Sequence, residues 1–346
     1  MSNLKKVPTI GLVGLGNQGK KHLDCILGLQ DKKLVKLVGL CDTSIEQLPD
    51  SIETPFYVDY RDLYSKTKPD IVVIATPNYL HKQMSVDALN KGMHVIKEKP
   101  LAINYLDAYE MLRVSQKTGK LLLTTQQRFY SPLFLKAKNI IPSLGQIVNF
   151  SYRFTLNDTT RSWRWDLEKA GGGSWLNMGW HAVAIIQWLI GDVDSIGLTW
   201  KVNGKRAWDY KTDHSSFARV VARDNAIGSI FLSCAYPKKE ETLKIVFSKG
   251  ILYLSRDTLK VFARRGKQQN YYSSLDERSI YTAQLEELLK KIRNNNYDQT
   301  QDLKTMATIQ AGLNSAYSKS SLIDVKGMRN QRNNTFYLAN TVYADF

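Results

Sequence analysis

Hydrophobic positions fall into two textures along the 346-residue chain. In the first part, short apolar runs at 10–13, 34–41 (LVKLVGLC), 70–75 (DIVVIA), 94–97 and 121–125 (LLLTT) read as strands. Between them, 18–29, 81–91 and 105–117 carry helical spacing. The 70–75 run is nearly continuous, as suits a parallel strand covered on both faces. Strands that alternate with helices predict βαβ units on a parallel sheet. Beyond about residue 125 the pattern becomes strict alternation, as at 146–154 and 217–221, which predicts antiparallel strands. ARDNAIG (222–228) and SKG (248–250) supply turns between them. One long helix is expected over 174–190, and two amphipathic helices over 281–293 and 303–317. No internal repeat is visible, and 326–346 has no periodicity and reads as a tail.

A chain of this length exceeds what one hydrophobic core usually serves. The expected division is a dinucleotide-type α/β domain at 1–124, a second α/β domain at 125–325 and the tail at 326–346. Hydrophobic content of 43% and charged content of 23% are those of an ordinary globular protein. The net charge of +16 is uneven: 17 basic and 13 acidic residues lie in 1–124, against 31 and 19 afterwards. The basic residues of the second part are scattered, as in Lys205-Arg206 and Lys238-Lys239. That pattern fits a solvated surface or attraction for an anionic substrate. No nucleic-acid module accompanies it. Cys25, Cys41 and Cys234 show neither disulfide nor metal spacing. The opening MSNLKKVPTIGLVGLG is too glycine-broken for a signal peptide, and 182–190 is too short to span a bilayer. A cytoplasmic chain with free thiols, no metal and no membrane contact is expected.

GLGNQG places Gly14, Gly16 and Gly19 in G-x-G-x-x-G spacing, with Asn17 and Gln18 between. The pattern follows a predicted strand and opens a predicted helix. Glycines there permit a tight turn and let backbone approach a pyrophosphate at a helix N-terminus. Asp42 ends the second predicted strand, where a carboxylate would hold a ribose diol and repel a 2′-phosphate. NAD is therefore expected over NADP, with NADP the other option.

Two further segments follow predicted strands. ATPNYLH brings Ala75, Thr76, Pro77 and Asn78 to the end of the 70–75 strand, leaving room for the nucleoside parts of a cofactor. His81 either faces that cofactor or caps its helix locally. KEKP puts Lys97, Glu98 and Lys99 at a strand's carboxyl end, where open α/β sheets bind ligands. If the strand continues, Lys97 and Lys99 share one face; a charged strand end facing water is the alternative. In GGGSWLNMGWH, Asn177 and His181 stand four residues apart, which places them on one helix face.

GLGNQG, ATPNYLH, EKP and GGGSWLNMGWH, in this order and at these separations, resemble the glucose–fructose oxidoreductase and inositol 2-dehydrogenase family over about 9–325. The resemblance implies a Rossmann domain followed by an α/β domain on a large, mostly antiparallel open sheet. It also implies a nicotinamide cofactor, hydride exchange with a secondary alcohol or ketone of a sugar or cyclitol, and a homodimer or homotetramer packed through the open sheet face. By the same resemblance, Lys99 lies beside the nicotinamide and the reacting oxygen, with Glu98 as its cofactor-side neighbour. His181 transfers a proton or binds substrate. Trp163, Arg164 and Trp165 border the nicotinamide end, and Gln127 and Arg128 line the substrate cleft. One departure stands out: Asn177 and Ala184 occupy positions where many members carry acids. An amide can hold a hydroxyl but cannot take a proton or stabilise an imidazolium. The departure leaves room for a reductase of a C=N or tetrapyrrole substrate or for a regulatory protein that binds dinucleotide without catalysis, and the basic second part for a nucleotide-sugar dehydrogenase.

Overall fold

The computed structural model describes residues 7–49, 52–158, 163–201, 212–264, 266–273 and 276–325. The expected tail and the Lys205-Arg206 pair lie outside them. The chain divides into two compact units, Met1–Tyr130 with Leu275–Leu303, and Ser131–Ser274 with Lys304–Phe346.

The first unit holds six strands: β1 (Thr9–Val13), β2 (Lys36–Cys41), β3 (Phe56–Tyr57), β4 (Ile71–Ile74), β5 (His94–Lys97) and β6 (Leu122–Thr124). They pair in parallel in the order 3-2-1-4-5-6. Four helices accompany them: α1 (Asn17–Asp31), α2 (Tyr60–Thr67), α3 (His81–Asn90) and α4 (Tyr105–Thr118). All four residues of β4 are fully buried, as the unbroken apolar run requires. The order reverses between β1 and β4, which is where ligands lie in such sheets, outside the strands' carboxyl ends.

This unit also contains a helix from late in the sequence, Glu277–Asn294. Its buried Tyr281, Leu285, Leu288, Leu289 and Ile292 form one stripe that packs with Leu23, Ile26 and Leu29 of α1 in a common core. Periodicity identifies that helix but not its destination. The expected boundary at 124 therefore differs from the observed grouping, in which 125–130 and 276–303 join the first unit.

In the second unit, a nine-stranded sheet runs β14-β13-β12-β11-β7-β10-β9-β8-β15. Its strands are β7 (Ile147–Asn157), β8 (Val193–Lys201), β9 (Ser215–Ala222), β10 (Ala226–Ser233), β11 (Ala235–Phe247), β12 (Gly250–Ser255), β13 (Thr258–Ala263), β14 (Gln269–Tyr272) and β15 (Ile323–Asp324). Every pairing is antiparallel except β10 with β7. Alternation buries one face, with Phe150, Tyr152, Ile230, Leu232, Ile245 and Leu252, and leaves Phe217, Ile227, Tyr253 and Phe262 exposed.

The helices in chain order after α4 are α5 (Pro132–Ile140), α6 (Leu167–Ala170), α7 (Ser174–Asn177), α8 (Gly179–Leu189), α9 (the returning Glu277–Asn294) and α10 (Thr300–Tyr317). The expected single helix over 174–190 is thus two, α7 and α8, parted at Met178. Trp175 of α7 and Trp180 of α8 are fully buried. Trp175 reaches Ile309 of α10 with its indole N–H at 2.9 Å, and a Cβ on Gly312 would lie 2.6 Å from that ring.

Candidate active site

The glycine turn follows β1, and each glycine serves a different steric purpose. Gly14 has φ +93°, and its N–H reaches the Cys41 carbonyl at 2.8 Å. A Cβ on Gly19 would sit 1.9 Å from the Gly14 carbonyl oxygen, so only glycine lets α1 pack so closely on the turn. Gly16 is different: it is exposed, and nothing lies within 4 Å of where its Cβ would be. It caps α1 with no side-chain hydrogen bond. Gly16 therefore leaves open space at the N-terminus of α1, as a pyrophosphate cradle requires.

Asp42 follows β2. Its Oδ2 accepts the Leu15 N–H at 2.7 Å and its Oδ1 the Ser44 N–H at 3.1 Å. The Thr43 hydroxyl also reaches Oδ1, at 3.4 Å, so the carboxylate fixes the glycine turn and keeps acceptor capacity on Oδ2 for a ribose hydroxyl. Gln18 is held from another direction. Its Oε1 accepts the Tyr281 hydroxyl at 2.8 Å, while Gln127 Nε2 donates to that same hydroxyl oxygen at 3.1 Å. Tyr281 belongs to α9, so sequence reasoning missed it: nothing local marks a residue more than 250 positions away as a partner of the glycine turn.

After β4, Ala75 N–H donates to the Val13 carbonyl at 2.8 Å, and Ala75, Thr76 and Pro77 are half-buried with Asn78 buried. His81 is turned inward and fully buried. Nε2 lies 2.9 Å from the Thr76 carbonyl and Nδ1 3.4 Å from that of Pro100. Burial and the Lys97 charge pull its pKa down to about 3, so the ring is neutral and its single N–H can serve only one of these two carbonyls, Thr76 being the nearer. Both nitrogens are turned to backbone carbonyls, and neither caps α3.

The KEKP segment follows β5, which ends at Lys97, so strand alternation does not extend to Lys99. Glu98 is buried; Oε1 lies 2.8 Å from His22 Nε2 on α1, and Oε2 accepts the Lys99 N–H at 3.3 Å. Burial raises the Glu98 pKa, but the hydrogen bond and charge of His22 and the Lys99 charge outweigh it and hold the carboxyl at about 2. The Lys99–Pro100 peptide bond is cis. From 93 to 102 every residue is buried except Lys99. Lys97 lies beneath the turn with no exposed surface and donates to three of its carbonyls.

Gln127 and Arg128 begin a short 3-10 turn, Gln127–Tyr130, with Arg128 buried. Gln126 N–H donates to Gln284 Oε1 at 2.7 Å, so α9 fixes this segment too.

In the second unit, Trp163–Trp165 is a 3-10 turn of half-buried residues in which the Arg164 guanidinium lies 4.8 Å from the Trp163 ring centre. The glycines of GGGSWLNMGWH have local causes. Gly171 ends α6 with φ +76°. Gly173 passes so close to Asp213 that a Cβ would meet its carbonyl oxygen at 1.9 Å. Buried Asp213 then accepts the Gly173 N–H at 2.8 Å, the Ser174 hydroxyl at 2.6 Å and the Trp175 N–H at 2.8 Å. Burial pushes its pKa up against those three hydrogen bonds. Asn177 ends α7 half-buried, and His181 is buried in α8 with its ring 6.4 Å from that of Phe154. Among the described residues, no cluster of His, Cys, Asp and Glu could hold a metal, and no helix is long and apolar enough to cross a membrane.

Two family models match the chain. Residues 9–126 match an oxidoreductase family with an NAD-binding Rossmann fold, and 134–253 match the GFO/IDH/MocA C-terminal domain. A 2,7-anhydro-N-acetylneuraminate hydratase of Mediterraneibacter gnavus is 27% identical over 273 residues, covering 73% of this chain and 71% of that one. An inositol 2-dehydrogenase of Salmonella typhimurium is 32% identical over 143 residues, 40% of this chain and 42% of that one. A solved levoglucosan dehydrogenase in complex with NADH and levoglucosan superposes with a TM-score of 0.84 at 18% identity, covering 92% of this chain and all of that one, a likeness of fold.

Proposed function

The chain belongs to the GFO/IDH/MocA family of NAD-binding oxidoreductases, and on that premise we propose that it exchanges a hydride with a secondary alcohol or ketone of a sugar, cyclitol or sugar derivative. Gly14, Gly16, Asn17 and Gly19 would hold the pyrophosphate of NAD and Asp42 its ribose, and the open space at Gly16 fits that role. Bound NAD supplies the hydride acceptor or donor.

One observation carries the reading: Lys99 is the single residue in 93–102 that is not buried, at the carboxyl end of a strand in the half of the sheet beyond the β1/β4 switch point. A cation fixed there stabilises negative charge as it develops on the substrate oxygen. His181 takes the hydroxyl proton in the oxidation direction and returns it in reduction. Asn177 holds a neighbouring oxygen. Trp163, Arg164, Trp165, Gln127 and Arg128 contact the substrate. The excess of basic residues after 124 favours an anionic substrate, and the relative aligned over most of its length is named for a neuraminate, a carboxylate sugar. Free thiols at Cys25, Cys41 and Cys234 suit a cytoplasmic protein. The exposed Phe217, Ile227, Tyr253 and Phe262 on one sheet face suit a homo-oligomer.

The test is NAD(H)-linked turnover on a panel of sugars, cyclitols and acidic sugar derivatives. Lys99→Ala should keep NAD affinity within about threefold and lower turnover about 10²–10³-fold. Full turnover without Lys99 would reduce it to a charged strand end.

A further inference from the structure

Beneath the Lys99 turn lies a side chain with no role in the reading above. Lys97 is the last residue of β5 and among the largest fully buried side chains of the protein. Its ammonium donates to the carbonyl oxygens of Glu98 at 2.8 Å, Pro100 at 2.6 Å and Leu101 at 2.9 Å. An ammonium has three N–H donors, and all three are used on this one turn. The clamp takes the carbonyl before Lys99 and the two after it. An isolated buried ammonium costs several kcal/mol, so it persists only where other groups satisfy it. Here burial pulls the Lys97 pKa down to about 7; the carboxylates of Asp302 and Glu98 oppose the fall and the Lys99 cation adds to it. Asp302 is half-buried and accepts the Tyr297 hydroxyl at 3.0 Å. His81, neutral, faces the Pro100 carbonyl from the α3 side at 3.4 Å. An apolar side chain would fill the same space at lower electrostatic cost but would leave the Glu98 and Leu101 carbonyls without this donor and the Pro100 carbonyl facing His81 alone.

We propose that Lys97 is a positioning residue for Lys99: by gripping the carbonyls on both sides it fixes the turn that carries the half-buried Lys99 out of the core. The proposal rests on the reading that Lys99 acts at the nicotinamide.

The experiment follows acylation of individual lysines by acetic anhydride as a function of pH, resolved by mass spectrometry, in the full chain with and without NAD. In the unaltered protein Lys97 should react at least tenfold more slowly than Lys99. Equal rates would overturn the clamp. In Lys97→Met, which keeps the stem and removes the donors, Lys99 should acylate at least threefold faster, because the turn that keeps it half-buried is no longer held. NAD protection of Lys99 should weaken, because the turn is no longer held. A Lys99 profile and NAD protection identical to those of the unaltered protein would overturn the proposal. If Lys97→Met does not fold, Lys97→Gln, which keeps an amide donor, decides by the same readouts. Lys99→Ala, assayed for turnover in parallel, separates the two ideas. Retained turnover there removes the catalytic reading of Lys99, whereas the acylation profiles still decide whether Lys97 positions it.

Discussion

The two turns at the cofactor end of the first unit are shaped in opposite ways. The glycine turn after β1 is shaped by missing side chains: Gly14 by its φ, Gly19 by contact with backbone, Gly16 by the open space above it. The 98–101 turn after β5 is shaped by side chains that are present and buried: Lys97 below, Glu98 tied to His22, and His81 against the Pro100 carbonyl. A turn made by steric absence is fixed by short-range rules. A turn made by buried polar braces depends on partners brought in by the fold. The two should therefore fail differently, one through clashes and the other through protons and charge.

The largest effect is expected at Gly19. Gly19→Ala drives a methyl into the Gly14 carbonyl and should cost about 3 kcal/mol of stability. Gly16→Ala meets no atom and should cost about 1 kcal/mol or less, yet it should weaken NAD binding by about tenfold, because the methyl occupies the approach to the helix N-terminus. Chemical denaturation and NAD titration of both variants check this. A Gly16→Ala protein with unchanged NAD affinity would mean that the pyrophosphate does not lie against α1.

This contrast also explains what could be read from the sequence. The parallel sheet, the glycine turn and Asp42 rest on local periodicity and fixed spacing, and they are found where expected. The open antiparallel sheet followed from alternation together with the family resemblance. Lys97 looked like a companion of Lys99 on a strand face because strand period was the only available rule; the strand stops at Lys97, and burial separates the two. Tyr281 and Gln284, which hold Gln18, Gln127 and Gln126, lie on a helix whose stripe was visible but whose docking surface was not. His22 is one of a few polar residues on the buried face of α1, and its partner Glu98 is 76 positions away. Asp213, which holds the Gly173 turn, has no local signal at all.

The braced turn should be sensitive to acid. His81 has a folded-state pKa lowered to about 3 from an ordinary 6.5. Below pH 6.5 the unfolded chain takes up a proton that the folded ring refuses, so stability falls as pH drops from 6.5 toward 3. Between pH 7 and 5 this one group removes about 2 kcal/mol. Glu98, lowered to about 2, adds a second loss further down, between its unfolded value and pH 2. In His81→Gln the loss between pH 7 and 5 should shrink by about that amount, even if the variant is less stable at pH 7. Denaturant midpoints at the two pH values measure it. An unchanged pH slope would show that His81 titrates normally in the folded protein.

Asp42 mixes the two styles, since a carboxylate pins the glycine turn through Leu15 and Ser44. With both oxygens held in place, it should favour NAD over NADP by at least tenfold, or about 1.4 kcal/mol. No arginine follows it in DTSIEQ to receive a 2′-phosphate. Tryptophan-fluorescence titration with both cofactors tests the preference, and Asp42→Ala should narrow it while loosening the turn. Equal or tighter NADP binding by the unaltered protein would remove Asp42 as the selector.

The smallest effect belongs to the second unit, where Asn177 ends α7 and His181 lies in the first turn of α8. Four positions would align them on one continuous helix, and the break at Met178 makes that alignment a question rather than a consequence. Asn177→Asp introduces a carboxylate at this position. If it faces the imidazole, it stabilises the imidazolium and should raise the His181 pKa by about 0.5–1 unit, roughly 0.7–1.4 kcal/mol. The sign is fixed: the ring then stays protonated to higher pH, and proton removal by His181 fades at the acid end of the working range. Nuclear magnetic resonance titration of the ring proton, assigned with His181→Gln, gives the shift directly and needs no substrate. Superimposable titrations of the two proteins would mean that the amide does not face the imidazole and serves α7 alone.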